Sequence, residues 1–237
     1  MKKSLHFFAV MLLCVFGLTP LSFAQIPPAE ALVLGGVKLG DTKPMVLEAA
    51  KKLGLSQFEE VKYDAGETAS IRFVDKTKMA LHANYLIVQF SPLSQKVVGI
   101  NRGADFNEML PHSTVYKATV ERFGKPKFDI GVDERNIAKK TTLNFPFNQN
   151  GAAVNHIRCD AISLPQLRYS DECSLGISVS NRSKNNSVFG NGYWDGQDII
   201  IIDSKTLYKE FKEIQDVKDQ ASIKKRKDSE KLAVPRF

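Results

Sequence analysis

The chain has 237 residues, of which 43% are hydrophobic and 25% are charged, a composition typical of a folded globular protein. Its 33 lysines and arginines exceed its 26 aspartates and glutamates, giving a formal net charge of +7 at pH 7. Because this excess is small and acidic residues are interspersed along the chain, we do not expect a nucleic acid partner.

The N-terminal segment has the three parts of a bacterial secretory signal peptide. Lys2 and Lys3 precede an apolar stretch at residues 7–18, and small residues follow at the two positions that a signal peptidase reads. We expect cleavage between Ala24 and Gln25. The apolar stretch is shorter than the roughly 20 residues that a membrane-spanning helix needs.

Export of the Gram-negative type would place the protein in the periplasm or the medium, where disulfides persist. Lipid attachment at Cys14 is disfavoured because Leu13, which precedes it, is not a small residue. No later segment reaches membrane-spanning length, so no membrane span is expected after cleavage.

The clearest helix pattern of the first half is "LGDTKPMVLEAAKKLG", residues 39–54. Asp41 or Thr42 can cap the helix, Pro44 suits its first turn, and Gly54 can end it. Three segments with strand-like alternation follow, at residues 69–74, 85–90 and 96–102. This order predicts a helix followed by an antiparallel meander.

A second helix pattern, "PHSTVYKATVERFGKPKF", covers residues 111–128. Ser113 or Thr114 is the expected cap, and Gly124 the expected stop. Strand-like segments follow again, at residues 139–147, 152–159 and 174–180. The chain therefore reads as a possible tandem duplication of one unit, although two well-capped helices can also match by accident.

The segments "GGVKLGDTKPMVLEAAKKLG" and "TVYKATVERFGKP" resemble the short-helix element of SmpA/OmlA-type small envelope proteins and of β-lactamase-inhibitor-like tandem domains. The resemblance covers these two segments only. It implies two helices set against an antiparallel sheet, in one copy or two. We therefore predict an α+β fold with two helix-plus-antiparallel-β-meander units, residues 25–106 and 107–203.

The last third of the chain adds a hairpin and a helix to these units. In "VFGNGYWDGQDIIIID" the pair Asp195-Gly196 suits a hairpin turn. Residues 204–237 form the predicted C-terminal helix, whose first half should dock on the body and whose charged second half should project. The cluster "KKRK" at residues 224–227 could meet phosphates, but acidic neighbours favour a solvated helix face.

Two cysteines remain after signal cleavage, Cys159 and Cys173, and in an oxidising compartment we expect them to form a disulfide. Closing a loop of about 15 residues stabilises by roughly 3 kcal/mol on the chain-entropy model. The alternative is a catalytic pair of His156 and Cys159. If both lie on one strand, their separation of three residues would place them on opposite faces.

Metal, cofactor and catalytic motifs give little signal, and we predict no catalytic residue, metal site or cofactor. The mature histidines are widely spaced, at His82, His112 and His156. Carboxylates near the cysteines match no calcium-binding loop pattern and are expected to face water: Asp160, Asp171 and Glu172.

Tyr193 and Trp194 form the candidate binding surface, because glycines around such aromatics allow close approach of a protein or sugar. The alternative is a tryptophan that covers the edge of the core. The sequence thus favours an exported, non-enzymatic binding protein acting on an envelope protein, a secreted enzyme or a surface polymer. Two alternatives stay open, a periplasmic hydrolase with dispersed carboxylates and a structural component assembling through its C-terminal helix.

Overall fold

The computed structural model describes residues 26–77, 84–126, 142–154, 171–183 and 192–232, with side chains described up to residue 227. Within these ranges there are three α-helices, α1 (Lys43–Lys52), α2 (His112–Phe123) and α3 (Ser204–Leu232). The strands are β1 (Ser56–Lys62), β2 (Thr68–Val74), β3 (Asn84–Phe90), β4 (Val97–Pro111), β5 (Thr142–Asn148), β6 (Cys173–Arg182) and β7 (Tyr193–Asp203). A short 3-10 helix, Ala29–Leu32, precedes α1.

All of these strands belong to one antiparallel sheet, in the order β1-β2-β3-β4-β7-β6-β5. The first four strands form a meander after α1, and the last three form a second meander after α2. The two meanders join where β4 pairs with β7, with Ile100 opposite Ile201. The predicted α+β class, with two helix-plus-meander units and a C-terminal helix, is confirmed. The possible tandem duplication of the two units stays a prediction.

The sheet face covered by α1 and α2, here called the α1/α2 face, holds the main hydrophobic core. Strand residues alternate between the two faces, so every second side chain points to this side. Phe123 of α2 packs here on Phe145 of β5, with ring centres 5.7 Å apart. Each buried side chain of this size contributes about 1.5–3 kcal/mol. The largest fully buried strand residues of this core are Phe73, Phe90, Phe145, Phe147, Ile71, Leu86, Ile100, Ile177 and Ile201.

The helix ends follow the sequence signals only in part. Thr42 is the N-cap residue of α1, but its side chain makes no capping hydrogen bond, and the Asp41 carboxylate accepts the N–H of Lys38 at 3.0 Å instead. The prediction of Ser113 or Thr114 as the cap of α2 is wrong, because this helix begins at His112. Gly124 ends α2 with a φ of 84°, a conformation in which glycine is strongly favoured.

The first turns of α3 pack on the other face of the sheet. Leu207 is fully buried, and Phe211 packs against the same small cluster of strand residues on β4 and β7. The carboxylate of Asp203 accepts the N–H of Thr206 at 2.9 Å and so caps the helix. Every described side chain of residues 215–227 is exposed. The expectation of a docked first half and a solvated second half agrees with this arrangement.

The predicted hairpin turn at Asp195-Gly196 is wrong, because both residues lie inside the continuous strand β7. Gly196 is paired on both sides, with Asp105 of β4 and Arg182 of β6. The four isoleucines that follow, residues 199–202, pair with β4 on one side and with β6 on the other. Their high strand propensity favours a continuous strand over a hairpin turn.

Cys173 is buried at the start of β6, whereas Cys159 lies outside the described residues, so the disulfide between them stays a prediction. The same holds for the signal peptide and for cleavage between Ala24 and Gln25. In the described part of the chain, no helix combines the length and the apolar character that crossing a membrane requires.

Candidate functional site

A cluster of polar side chains lies on the sheet face opposite α1 and α2, here called the α3 face. Asp198 is two residues before Ile200, which packs under α3, so the two side chains share this face. The cluster draws on four adjacent strands, and its members are Tyr85, Asn101, Asp105, Arg182 and Asp198, here called the sheet-face cluster.

The first row of the cluster runs across the sheet through Tyr85, Gly103 and Asp198, which are direct neighbours in the register. The phenol of Tyr85 donates to Asp198 Oδ1 at 2.8 Å and lies 3.3 Å from Asn101 Oδ1. A Cβ atom at position 103 would lie 2.2 Å from Cε1 of Tyr85. Glycine therefore leaves the space in which the tyrosine ring lies across the strand to reach the carboxylate.

The second row repeats this arrangement through Asp105, Gly196 and Arg182. Nη2 of Arg182 lies 3.2 Å from Asp105 Oδ1, and Nε lies 3.2 Å from Asp198 Oδ2. A Cβ atom at position 196 would come within 2.9 Å of the guanidinium. Arg182 thus crosses a glycine as Tyr85 does, and it connects the two rows.

Burial and a neighbouring carboxylate keep the Tyr85 phenol protonated. Burial raises the pKa of the Tyr85 phenol above its ordinary value of 10.0, and the negative charge of Asp198 raises it further. The tyrosine therefore stays protonated and donates at any physiological pH. The side chains of Arg182 and Asp198 keep 24% and 20% of their surface exposed, whereas the Nε and Nη2 atoms of Arg182 are buried.

The cluster continues into a mixed surface on the neighbouring strands. Ile87 of β3 is half-buried and lies between Arg72 of β2 and Asn101 of β4 in the register. The guanidinium of Arg72 lies 5.5 Å from the ring centre of Phe58 on β1. Aliphatic, aromatic and hydrogen-bonding groups thus lie side by side along this face.

The aromatic pair predicted as a binding surface is split by burial. Tyr193 is 45% exposed, but Trp194 is only 5% exposed, and its ring stacks on His112 with centres 4.1 Å apart. Trp194 is therefore not an exposed anchor, because it is buried against His112. Whether Tyr193 contributes to a binding surface stays a prediction.

Residues weighed for metal or thiol chemistry lie largely outside the described ranges: His82, His156, Cys159 and Asp160. Asp171 and Glu172 are exposed in the turn immediately before β6. Among the side chains that the structure describes, no group of three His, Cys, Asp or Glu is placed to hold a metal ion.

The glutamates with a shifted pKa each have a structural explanation. A hydrogen bond from Lys52 lowers the pKa of Glu48, and one from Lys43 lowers that of Glu60. For Glu210, burial raises the pKa, but hydrogen bonds from the β3–β4 turn outweigh it, so the net shift is downward. These carboxyl groups are ionised acceptors at neutral pH.

The sequence did not point to the sheet-face cluster, because its members are far apart along the chain and ordinary in type. The sequence feature that could have indicated the cluster is the pair of glycines Gly103 and Gly196. A glycine inside a strand pattern marks a close approach by a neighbouring group. Because Gly196 follows an aspartate, the local pattern favours a turn there and hides this signal.

No family model, curated protein or solved structure matches the chain. The resemblance to small envelope proteins therefore rests on the two helix segments alone, and the function has to be inferred from the site.

Proposed function

We propose that this chain is an exported, non-enzymatic binding protein that recognises an envelope protein, a secreted enzyme or a surface polymer through its α3 face. The observation that carries the proposal is the sheet-face cluster. A hydrogen bond joins Tyr85 to Asp198, and an ion pair joins Arg182 to Asp105, each across a glycine. A second ion pair joins Arg182 to Asp198. The side chains of Asp105, Arg182 and Asp198 remain 13%, 24% and 20% exposed.

Pre-organisation supports binding by this surface. The side chains stand on four adjacent strands of one sheet, so a partner need not order a loop before making contact. The two carboxylates and one guanidinium leave the cluster with one surplus negative charge. A partner that presents hydrogen-bond donors or a cationic side chain would complement it.

The hydrolase alternative gains no support within the described residues. A general acid of the glycosidase kind needs a carboxyl group whose pKa is raised. Every carboxyl group with a resolved shift has its pKa lowered, and each serves a structural contact.

The test is affinity capture of the partner from the native envelope with matched variants. Ile87→Arg places a long charged side chain in the middle of the α3 face. Met45→Arg is the control, since Met45 is 48% exposed on α1, on the opposite side of the sheet. The wild type and Met45→Arg should retain the same partner, and Ile87→Arg should lose it. Circular dichroism checks that all three proteins are folded.

Two results would count against the proposal. One is a wild type that retains no partner, and the other is equal retention by Ile87→Arg and Met45→Arg. The second result would move the binding surface away from the α3 face and leave binding itself intact.

A further inference from the structure

Strand β1 lies at one edge of the sheet, because β2 is the single neighbour that the strand order gives it. In an edge strand, alternate residues direct their N–H and C=O groups away from the sheet. Among the residues that the structure describes, the backbone of Ser56–Lys62 is hydrogen-bonded to β2 and to no other segment. Five of its seven side chains are exposed, so the described part of the molecule leaves this edge open.

This open edge presents apolar side chains. Phe58 is 54% exposed and Val61 is 47% exposed. Both lie on the α3 face, since Val61 is opposite Ser70 and the Phe58 ring lies 5.5 Å from the guanidinium of Arg72. Ile87 is next to Arg72 in the register, so the edge continues the surface proposed above for binding. Exposed apolar residues on an open edge favour the addition of a further strand.

The register of β1 restricts which strand can be added. Its pairing with β2 shifts between Gln57 and Glu59 and again between Val61 and Lys62, so the regular stretch between the shifts is residues 59–61. Two copies of β1 would have to set these irregularities against each other. A flexible segment that becomes ordered on binding can follow the bend of the strand instead.

We propose that β1 binds an extended segment of a protein partner, which adds to the sheet as a further strand. This inference rests on the binding function proposed above, and it identifies the partner as a polypeptide and not a surface polysaccharide. Main-chain hydrogen bonds supply the affinity, and alternate side chains of the segment meet Phe58 and Val61. Glu59 is exposed on the same face, opposite Arg72, so a basic residue of the segment beside it adds a favourable cross-strand pair.

Hydrogen exchange of the backbone amides, resolved along the chain by mass spectrometry, tests the inference. The probe is the material that the wild-type chain retains from the native envelope, eluted and returned to the purified chain. Amides in residues 56–62 should exchange at least about tenfold more slowly in its presence, because the added strand accepts hydrogen bonds from N–H groups that otherwise face water.

Val61→Lys gives a second measurement. A lysine within an edge strand opposes the addition of another strand, so the dissociation constant for the retained material should rise at least about tenfold. Val217→Lys is the matched control, because Val217 is 63% exposed on α3, and this variant should bind like the wild type. Circular dichroism checks that both variants are folded.

Three outcomes would overturn the inference. In the first, the exchange of residues 56–62 is unchanged by the retained material, as contact with a polysaccharide or with side chains alone would leave it. In the second, Val61→Lys binds as tightly as Val217→Lys. Both of these outcomes leave the proposed binding function in place. In the third, these amides become protected without the probe as the chain is concentrated, which would assign the edge to a second copy.

A wild-type chain that retains no material from the envelope would overturn the proposed function together with this inference. That result is distinguishable from the first two outcomes, because in both of them the wild-type chain does retain material.

Discussion

The two faces of the sheet are built on opposite principles. The α1/α2 face is filled by large apolar side chains from every strand except β1, and two helices cover it. At its centre the α3 face has Gly103 and Gly196, with Tyr85 and Arg182 lying across them. Large apolar side chains pack together on the α1/α2 face and stabilise it. On the α3 face, the missing side chains of two glycines leave room for Tyr85 and Arg182 to reach their partners.

This difference places volume-filling apolar packing on one face of the sheet and specific polar pairing on the other. Apolar packing tolerates many combinations of residues as long as the total volume is kept. The sheet-face cluster depends on particular pairs, since each donor has its acceptor across a glycine. We therefore expect substitutions on the α1/α2 face to change mainly the free energy of unfolding, and those on the α3 face to change mainly geometry.

The largest effect should come from Phe145→Ala on the α1/α2 face. Phe145 is 2% exposed, and truncating such a ring leaves a cavity that costs about 3–5 kcal/mol of unfolding free energy. Urea denaturation followed by circular dichroism measures the loss. Phe58→Ala is the control, because Phe58 is 54% exposed, and it should cost about 1 kcal/mol or less. Equal losses in the two variants would mean that the core is not where the structure places it.

The next effect should come from Gly103→Ala on the α3 face. The added methyl group would lie 2.2 Å from Tyr85 and 2.5 Å from Asp198, so the ring has to move, at a cost of about 1–3 kcal/mol. In a double-mutant cycle, Tyr85→Ala should remove most of the penalty, since both clashes with the ring disappear and the Asp198 carboxylate, no longer bonded to the phenol, can turn away from the methyl group. Additive losses would show that Gly103 is needed for some reason other than Tyr85.

The smallest effect should be the pH dependence contributed by Glu210, which ties α3 to the sheet. Its carboxylate accepts the N–H groups of Leu93 at 2.8 Å and of Ser94 at 3.1 Å. Since its pKa is lower in the folded than in the unfolded chain, its contribution is present above the ordinary value of 4.5 and is lost as the pH falls through the folded-state pKa.

Glu210→Gln should therefore be less stable than the wild type at neutral pH by about 1 kcal/mol, since glutamine keeps one acceptor oxygen and loses the charge. The gap between the free energies of unfolding of the two proteins should narrow as the pH falls below about 4.5, where the carboxylate becomes protonated first in the unfolded chain and then, at lower pH, in the folded one. Glu213→Gln serves as the control, because Glu213 lies three residues further along the helix and its side chain is exposed. If the difference in the free energy of unfolding between the two proteins does not change with pH, the charge of Glu210 does not contribute to the stability of its contact with Leu93 and Ser94.

Much of the fold could be predicted from local patterns. The first helix and strands β2 and β3 were expected within a residue or two of where they lie, because their apolar residues recur with the period of the element. β1 was missed, since most of its side chains are exposed and an edge strand needs no apolar face. The length of β4 was underestimated because its outer part, up to Pro111, has polar residues that are stabilised by pairing with β7.

The candidate site could not be predicted, because its contacts are set by register and not by local pattern. Nothing around Tyr85 indicates that it will lie opposite Gly103 or reach Asp198. The aromatic pair at 193 and 194 had a strong local signal, yet Trp194 is buried through its stack on His112. Local sequence reports which residues can recognise a ligand, whereas strand pairing decides which of them remain accessible.

The pairing of β4 with β7 also has a consequence for how the protein matures. The hydrogen bond between Tyr85 and Asp198 joins positions 113 residues apart, and it can form only after the second meander has docked on the first. Contacts of such long range form late and slowly. A chain that has folded only its first half therefore lacks the complete sheet-face cluster, and formation of the cluster is a marker of completed folding.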